Sequence, residues 1–216
     1  MKKVLLFVTV FIAFASAQGP YFDVGFGFGE IKTRIDGKDY VKEANILLAN
    51  NVNDHEGIEF SIKTGYGPFG LGIGPLYVVA DLGLIEHSVF NNLYNDDEVI
   101  FTTYMFGPGV ILYPISFIQI GLSAGLSVAT VNMAKENIEI ESDLGYMYSA
   151  SVAYDFGANL EPSFRELLGN HSFLFGFKYS GSRNPTYSGK TIKMETPSFF
   201  IKYAYIHRKK AVSLSK

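Results

Sequence analysis

The segment from Phe117 to Ala129 alternates between apolar and small residues, and this alternation is the strongest constraint on the fold. One set of alternate positions holds Ile118, Ile120, Leu122, Ala124, Leu126 and Val128, and the other holds Gln119, Gly121, Ser123, Gly125, Ser127 and Ala129. In a soluble sheet, the face opposite the core meets water and usually carries charged residues or Thr. A narrow transmembrane barrel explains the pattern better, because lipid contacts the branched side chains and the crowded lumen accepts the small ones.

Composition and the first residues indicate an exported, folded chain. Hydrophobic residues make up 48% of the 216 residues and charged ones 18%, which excludes a disordered chain. Lys2 and Lys3 precede an apolar run that ends in Ala15-Ser16-Ala17, so residues 1–17 are predicted to be a signal peptide. Its removal takes away two lysines and changes the formal charge from -3 to -5, which argues against nucleic-acid binding. The absence of cysteine excludes disulfides and thiolate metal sites.

Alternation of period two recurs along the chain and predicts about eight strands. The predicted segments are Tyr21–Lys32, Glu56–Gly67, Gly72–Glu86, Val99–Tyr113, Phe117–Ala129, Leu144–Phe156, Ser172–Ser180 and Lys193–Ile206. An unpaired amide in hydrocarbon costs several kcal/mol, so strands in lipid must form a barrel without edges. We therefore predict an all-β fold, a closed antiparallel eight-stranded transmembrane barrel of up-and-down topology over residues 18–206, followed by a basic periplasmic tail over residues 207–216.

The predicted connections alternate in length, which is typical of outer-membrane barrels. The long, polar ones are Thr33 to His55, His87 to Glu98, Thr130 to Asp143 and Gly181 to Ile192, and the short turns surround Pro68 and Pro114. Long connections are expected on the outer side of the membrane. Within the third long connection, Ile138 and Ile140 alternate with acidic residues, so this stretch either extends the hairpin beyond the membrane or forms a solvated loop.

One predicted connection departs from this alternation. The stretch from Glu161 to Gly169 has Pro near its start and Gly at its end, which is typical of a short helix. We expect this helix on the periplasmic side.

Isolated charges lie on the small-residue faces and are expected in the lumen. They are Asp23, Glu59, Lys63, Asp81, Asp155, Lys178 and Lys202. An eight-stranded barrel has an interior just wide enough for its own side chains, so these charges are expected to pair and to plug it. The functional alternative is a small selective pore or a proton path, although mixed signs argue against strong ion preference.

Residues typical of enzymes are sparse. The histidines are His55, His87, His171 and His207, and none belongs to an H-E-x-x-H or another metal-binding spacing. His87 and Ser88 are adjacent, but neighbouring residues of a strand point to opposite faces and do not meet. No G-x-S-x-G motif is present. We predict no catalytic, cofactor or metal site.

The leader, the eight alternating segments and the alternating connection lengths together resemble the small outer-membrane β-barrel proteins, which include the membrane domain of OmpA, OmpX, OmpW and the opacity-type adhesins. The resemblance implies a non-enzymatic protein of the outer membrane of a diderm bacterium, whose loops serve adhesion, host interaction or envelope integrity. It also implies contacts with outer-membrane lipids, including a lipopolysaccharide-like glycolipid, and with the assembly machinery, and it implies a monomer.

Two alternatives remain from the sequence. The first is a narrow channel for small hydrophobic molecules, for which Tyr77, Val79, Leu174 and Phe200 are the candidate lining residues. The second is a soluble, lipocalin-like periplasmic carrier whose apolar faces point inward. The Gly/Ser face would then be its outer surface, and such a face is poorly suited to water.

Overall fold

A computed structural model describes residues 19–47, 52–54, 57–70, 74–91, 97–133, 138–158, 160, 164 and 167–207. The predicted signal peptide and nearly all of the predicted basic tail lie outside these residues. Within them, the elements are β1 (Gly19–Gly29), β2 (Lys32–Ile35), β3 (Lys38–Asp39), α1 (Tyr40–Leu47), β4 (Val52–Asp54), β5 (Gly57–Gly70), β6 (Pro75–Asn91), β7 (Asp97–Ile115), β8 (Ile118–Met133), β9 (Ile138–Glu141), β10 (Gly145–Asp155), β11 (His171–Pro185) and β12 (Thr191–Ile206). No helix in this part of the chain has the length and apolar character needed to cross a membrane.

Among the described residues, eight antiparallel strands form a ring in the order β1, β5, β6, β7, β8, β10, β11 and β12. The last strand pairs with the first, in a register that runs from Tyr21 opposite Ile206 to Phe28 opposite Phe199. Each of the eight strands therefore has a hydrogen-bonded neighbour on both sides. The prediction of an all-β, antiparallel, up-and-down fold with eight strands is confirmed.

The ring has an upper and a lower end. Gly19 and Ile206 lie at the lower end, and the long connections leave from the upper end. There, β2 pairs with the top of β12, β3 with β2, β4 with the top of β6, and β9 with the top of β8. Of the two possibilities for the stretch at Ile138 and Ile140, the structure shows the extended hairpin, because β9 pairs with β8.

The strands extend further than their alternating segments predicted. β8 continues to Met133 and β6 to Asn91. In these extensions, Val131 and Val89 are buried on the inner face, so the apolar residues change face and the alternation of the lower segment does not continue. β7 runs without a break through Gly107-Pro108-Gly109, although Gly and Pro weaken strands. Its pairing with β8 passes from Phe106 directly to Gly109, since Pro108 has no N–H to donate.

The first predicted connection, Thr33 to His55, contains secondary structure that its polar sequence did not predict. It contains β2, β3, α1 and β4, because the top of β12 rises above the ring and offers an edge for β2. Tyr40, Val41 and Ala44 of α1 pack on buried apolar residues at the upper end. Of the helix predicted at 161–169, residues 164, 167 and 168 are helical and Gly169 lies in a turn; residues 161–163 and 165–166 lie outside the described residues.

Close approach of β7 and β8 gives the first prediction. A Cβ atom at Gly125 would lie 2.2 Å from the carbonyl oxygen of Phe106 and 2.4 Å from the Cα of Gly107, so Gly125→Ala must push the two strands apart. At Gly83, a Cβ would first meet the flexible end of Met105, at 2.8 Å. We expect Gly125→Ala to destabilise the protein by about 1–3 kcal/mol and Gly83→Ala by clearly less. Denaturant titration by circular dichroism measures both, and equal loss in the two variants would contradict the expectation.

Candidate functional site in the lumen

Burial alternates along the ring strands and separates an inner from an outer face. All seven residues expected in the lumen lie on the inner face and are at most 4% exposed: Asp23, Glu59, Lys63, Asp81, Asp155, Lys178 and Lys202. The structure brings six of them together as ion pairs. They form the middle layer of the lumen.

The first of these pairs joins neighbouring strands. The Lys63 Nζ lies 2.5 Å from the Asp81 Oδ2, and the two residues stand directly opposite each other on β5 and β6. The same ammonium group donates to the Ser123 Oγ on β8, at 2.9 Å. Lys63 therefore links walls of the ring that are not adjacent.

The second pair crosses the lumen from β5 to β11. The Lys178 Nζ lies 2.6 Å from the Glu59 Oε1, and Ser180 and Ser198 donate to the two oxygens of the same carboxylate at 2.5 and 2.7 Å. In the third pair, the Lys202 Nζ lies 3.2 Å from the Asp23 Oδ1. Each carboxylate is compensated by a cation, as a buried charge requires.

A hydrogen-bonded chain continues from Asp23 toward the lower end. Tyr21 donates to Asp23 at 2.6 Å, and the amide of Gln119 donates to both Tyr21 and Tyr113, at 3.0 and 2.9 Å. Tyr113 in turn donates to Asp155 at 3.0 Å, and Asp155 also accepts from the Ser172 hydroxyl. Sequence reasoning did not assign Tyr21, Tyr113 and Gln119 to this layer, although each has the inward parity of its strand.

Apolar clusters fill the lumen above and below the charged layer. The upper cluster contains Ile31, Ile85, Val89, Phe101, Met105, Ala129, Val131, Met147, Ile192 and Met194. The lower cluster contains Tyr21, Tyr77, Val79, Ile111, Tyr113, Ala153, Leu174, Phe200, Ala204 and Ile206. The four residues considered for a hydrophobic channel, Tyr77, Val79, Leu174 and Phe200, are thus packed on one another at the lower end.

The described histidines are dispersed. His87 is buried in the upper lumen, where its Nδ1 shares a hydrogen bond of 2.7 Å with the Thr33 Oγ1. Its neighbour Ser88 has the outward parity. His171 is exposed near the lower end and contacts the hydroxyl of Tyr203. Within the described residues, no group of three or more His, Asp or Glu side chains could hold a metal ion, and His55 lies outside them.

The outer face carries an uncharged apolar band around the ring. The large side chains of this band that are at least 38% exposed include Phe22, Phe26, Phe28, Ile58, Tyr66, Leu82, Tyr104, Phe106, Leu122, Leu126, Val152, Phe173, Phe177, Phe199 and Ile201. On β8 the uncharged outward positions run from Ile118 to Asn132, longer than the ~9–11 residues that a strand needs to span a membrane. A soluble carrier with inward apolar faces is contradicted, because these side chains point outward.

Glu195 is an outward acid just above this band on β12, and sequence reasoning missed it. Its carboxylate accepts from the Tyr179 and Tyr148 hydroxyls at 2.5 and 2.9 Å. The Lys193 Nζ lies 2.9 Å and the Arg34 Nη1 3.2 Å from the same carboxylate. In the sequence, the position of Glu195 on the same strand face as Phe199 and Ile201 could have indicated that this acid needs partners.

No protein-family model matches the chain, and no curated protein matches it. Solved structures similar to it are outer-membrane or surface proteins. The attachment invasion locus protein Ail of Yersinia pestis, in complex with the heparin analogue sucrose octasulfate, is 13% identical over 86% of this chain and 99% of its own, with a TM-score of 0.49. The Neisserial surface protein A is 13% identical over 86% of this chain and 97% of its own, with a TM-score of 0.46. The outer membrane protein OprG of Pseudomonas aeruginosa is 8% identical over 88% of this chain and 97% of its own, with a TM-score of 0.40. The resemblance stated from the sequence names the same class, and identities this low carry nothing about ligands.

The pair that crosses the lumen gives the second prediction. Glu59→Gln leaves the Lys178 ammonium buried without a countercharge, and we expect a loss of about 3–5 kcal/mol in the free energy of unfolding. Adding Lys178→Met removes the orphaned charge and is expected to restore most of the stability. Glu43→Gln is the control, since its pair with Lys38 is exposed and is worth about 0–1 kcal/mol. Urea titration by circular dichroism measures all three, and a double variant as unstable as Glu59→Gln would contradict the account.

Proposed function

We propose that this chain is an integral outer-membrane β-barrel protein that spans the membrane with the described ring of strands and does not conduct. The observation that carries the proposal is the combination of an uncharged apolar band outside and compensated charges inside. Lipid takes the place of water at the band, and the ring leaves no strand edge to be solvated. The upper end, with its long connections, then faces the exterior.

The lumen supports a plug rather than a passage. Ion pairs from β5 to neighbouring and to more distant strands stand between the two apolar clusters, and Gln119 bridges tyrosines of the lower end. A permeating ion would have to separate charges that are buried in a low dielectric, where a lost partner is costly. Asp23, Glu59, Lys63, Asp81, Asp155, Lys178 and Lys202 are therefore proposed as a structural network and not as a conduction path.

With a plugged lumen, activity lies at the outer surface. We propose that the upper connections serve adhesion, host interaction or envelope integrity, and that the chain acts as a monomer without enzymatic activity, delivered to the outer membrane by its assembly machinery. The upper strand pairs β2–β3 and β8–β9 rise above the ring as a platform for these connections.

One observation favours the second candidate, a narrow path for small hydrophobic molecules. A cavity of about 220 Å³ lies at the upper mouth and is lined mainly by apolar side chains, among them Tyr40, Phe101, Val131, Ile140 and Ile192. Below it stands the charged layer. Such a molecule could enter the mouth, but further passage would require the ion pairs to open.

Three measurements test the proposal. The purified protein should migrate at different apparent masses with and without boiling, and it should remain with the membranes after carbonate washing. In planar bilayers it should show no stable conductance, and the variant Glu59→Gln should show more current than the native protein. Release by osmotic shock would contradict the membrane assignment, whereas steady native conductance would contradict only the plug.

The band gives a further prediction. The substitution Leu122→Lys, near the middle of the band, should destabilise the protein in phospholipid vesicles by about 2–4 kcal/mol, because the charge must enter hydrocarbon. The substitution Thr130→Lys, at an outward position near the top of the same strand, should lower the free energy of unfolding by only about 0–1 kcal/mol. Urea titrations of both variants in vesicles measure the two losses of stability. Similar losses at the two positions would contradict a membrane-embedded band.

A further inference from the structure

Basic side chains collect on one sector of the outer face, immediately above the apolar band. Arg183 on β11 stands directly opposite Lys193 on β12, and Lys193 stands opposite Arg34 on β2. Neighbouring strands lie about 4.8 Å apart, so these three cations form a short row. Like charges directly opposite each other are destabilising, and the row therefore calls for a negative partner.

The protein's own acids compensate this row only in part. Glu195, one step below the row, holds Lys193 and Arg34 but makes no ion pair with Arg183. Asp39 stands opposite Arg34, and its carboxylate accepts the Lys42 amide at 3.1 Å. Lys32, opposite Glu195, lies 3.5 Å from Glu30. Arg183 is exposed and has no ion pair among the described residues, so the four cations named here, Arg34, Arg183, Lys32 and Lys193, outnumber the three acids by one.

The other sectors differ in sign at the same height. The first outward charges above the band on β6 and β7 are Glu86 and Glu98. On β8, the outward positions up to Asn132 carry no charge. Within the described part of the ring, the basic border is thus confined to the sector of β11, β12 and β2.

A groove of about 500 Å³ runs down the outer wall directly beneath this row. It forms because Ala150 and Pro197, which flank Tyr179 in the strand register, are smaller than the Phe177 and Phe199 side chains around them. Its lining is almost entirely apolar, and Tyr179 closes its top just below Glu195. A soluble anion would not occupy an apolar groove, whereas the acyl chain of a lipid with an anionic headgroup fits it.

We propose that this sector binds one phosphorylated lipid of the outer leaflet, with the phosphate against Arg183 and Lys193 and an acyl chain in the groove beneath. Glu195 positions Lys193 and Arg34, and the Tyr148 and Tyr179 hydroxyls fix Glu195 in turn. Arg183, which no described acid pairs, gains its countercharge from the headgroup. The proposal rests on the membrane-spanning function proposed above and names the lipid site on that surface.

The test uses the full protein in phosphatidylcholine vesicles that contain spin-labelled phosphatidylglycerol or spin-labelled phosphatidylcholine. Electron paramagnetic resonance measures the fraction of each lipid that the protein immobilises. The native protein should prefer phosphatidylglycerol. The double variant Arg183→Gln, Lys193→Gln should lose this preference, by about five-fold for each basic side chain. Arg183→Gln alone, which breaks no described ion pair, should lose part of it.

Matched controls separate charge from groove. Lys38→Gln with Lys190→Gln removes two exposed cations outside the row and should leave the preference unchanged. Ala150→Leu should reduce the immobilised fraction of both lipids by filling the groove, whereas Ala80→Leu, on the outer face of β6, should not. An unchanged preference in the double variant would overturn the proposal.

Two further outcomes would also overturn it. If detergent-solubilised protein binds inorganic phosphate or a soluble sulfated sugar through the same basic residues and Ala150→Leu has no effect, the row serves a soluble anion and not a lipid. If the protein fails to float with vesicles at all, the membrane-spanning function itself has failed, and this outcome is distinct from insertion without lipid preference.

Discussion

The pairing of β12 with β1 is the interaction on which the rest of the structure depends. It gives each strand of the ring two hydrogen-bonded neighbours, so the backbone N–H and C=O groups of the wall are satisfied without water. It also encloses one of the two side-chain sets that strand alternation creates and leaves the other set outside. One set must fill a narrow interior, and the other forms the entire outer surface.

The interior solves its packing problem in layers. Apolar clusters occupy both ends, and charges lie between them, where each carboxylate of the three ion pairs meets a lysine. This order keeps water from the charged layer and makes each pair depend on its partner, because a single charge at that depth has nowhere to be solvated. Contacts such as Lys178 with Glu59 and Lys63 with Ser123 link non-neighbouring walls and brace the ring from within.

The outer surface has the opposite arrangement, with apolar residues in the middle and charges above them. Within the band, outward side chains carry no charge; above it, charges return with a sign that differs between sectors. Glu195 marks the transition, since two tyrosine hydroxyls, Lys193 and Arg34 meet on its carboxylate at the edge of the band. The proposed lipid site and the proposed surface function of the upper connections both arise from this border.

Period-two alternation determined which residues share a face, because successive side chains of any strand point to opposite faces, and the small residues and isolated charges of one set predicted that this set faces inward. For that reason the wall, the number of strands and the inner face of Asp23 or Lys178 could be predicted. Only the tertiary structure decided which charges meet: contacts across the lumen depend on the register of strands that are distant in sequence, and local pattern does not encode that register. The same holds for β2 and α1, which exist because β12 offers an edge and the upper cluster a surface, and for Glu195, whose partners come from four separate segments of the chain.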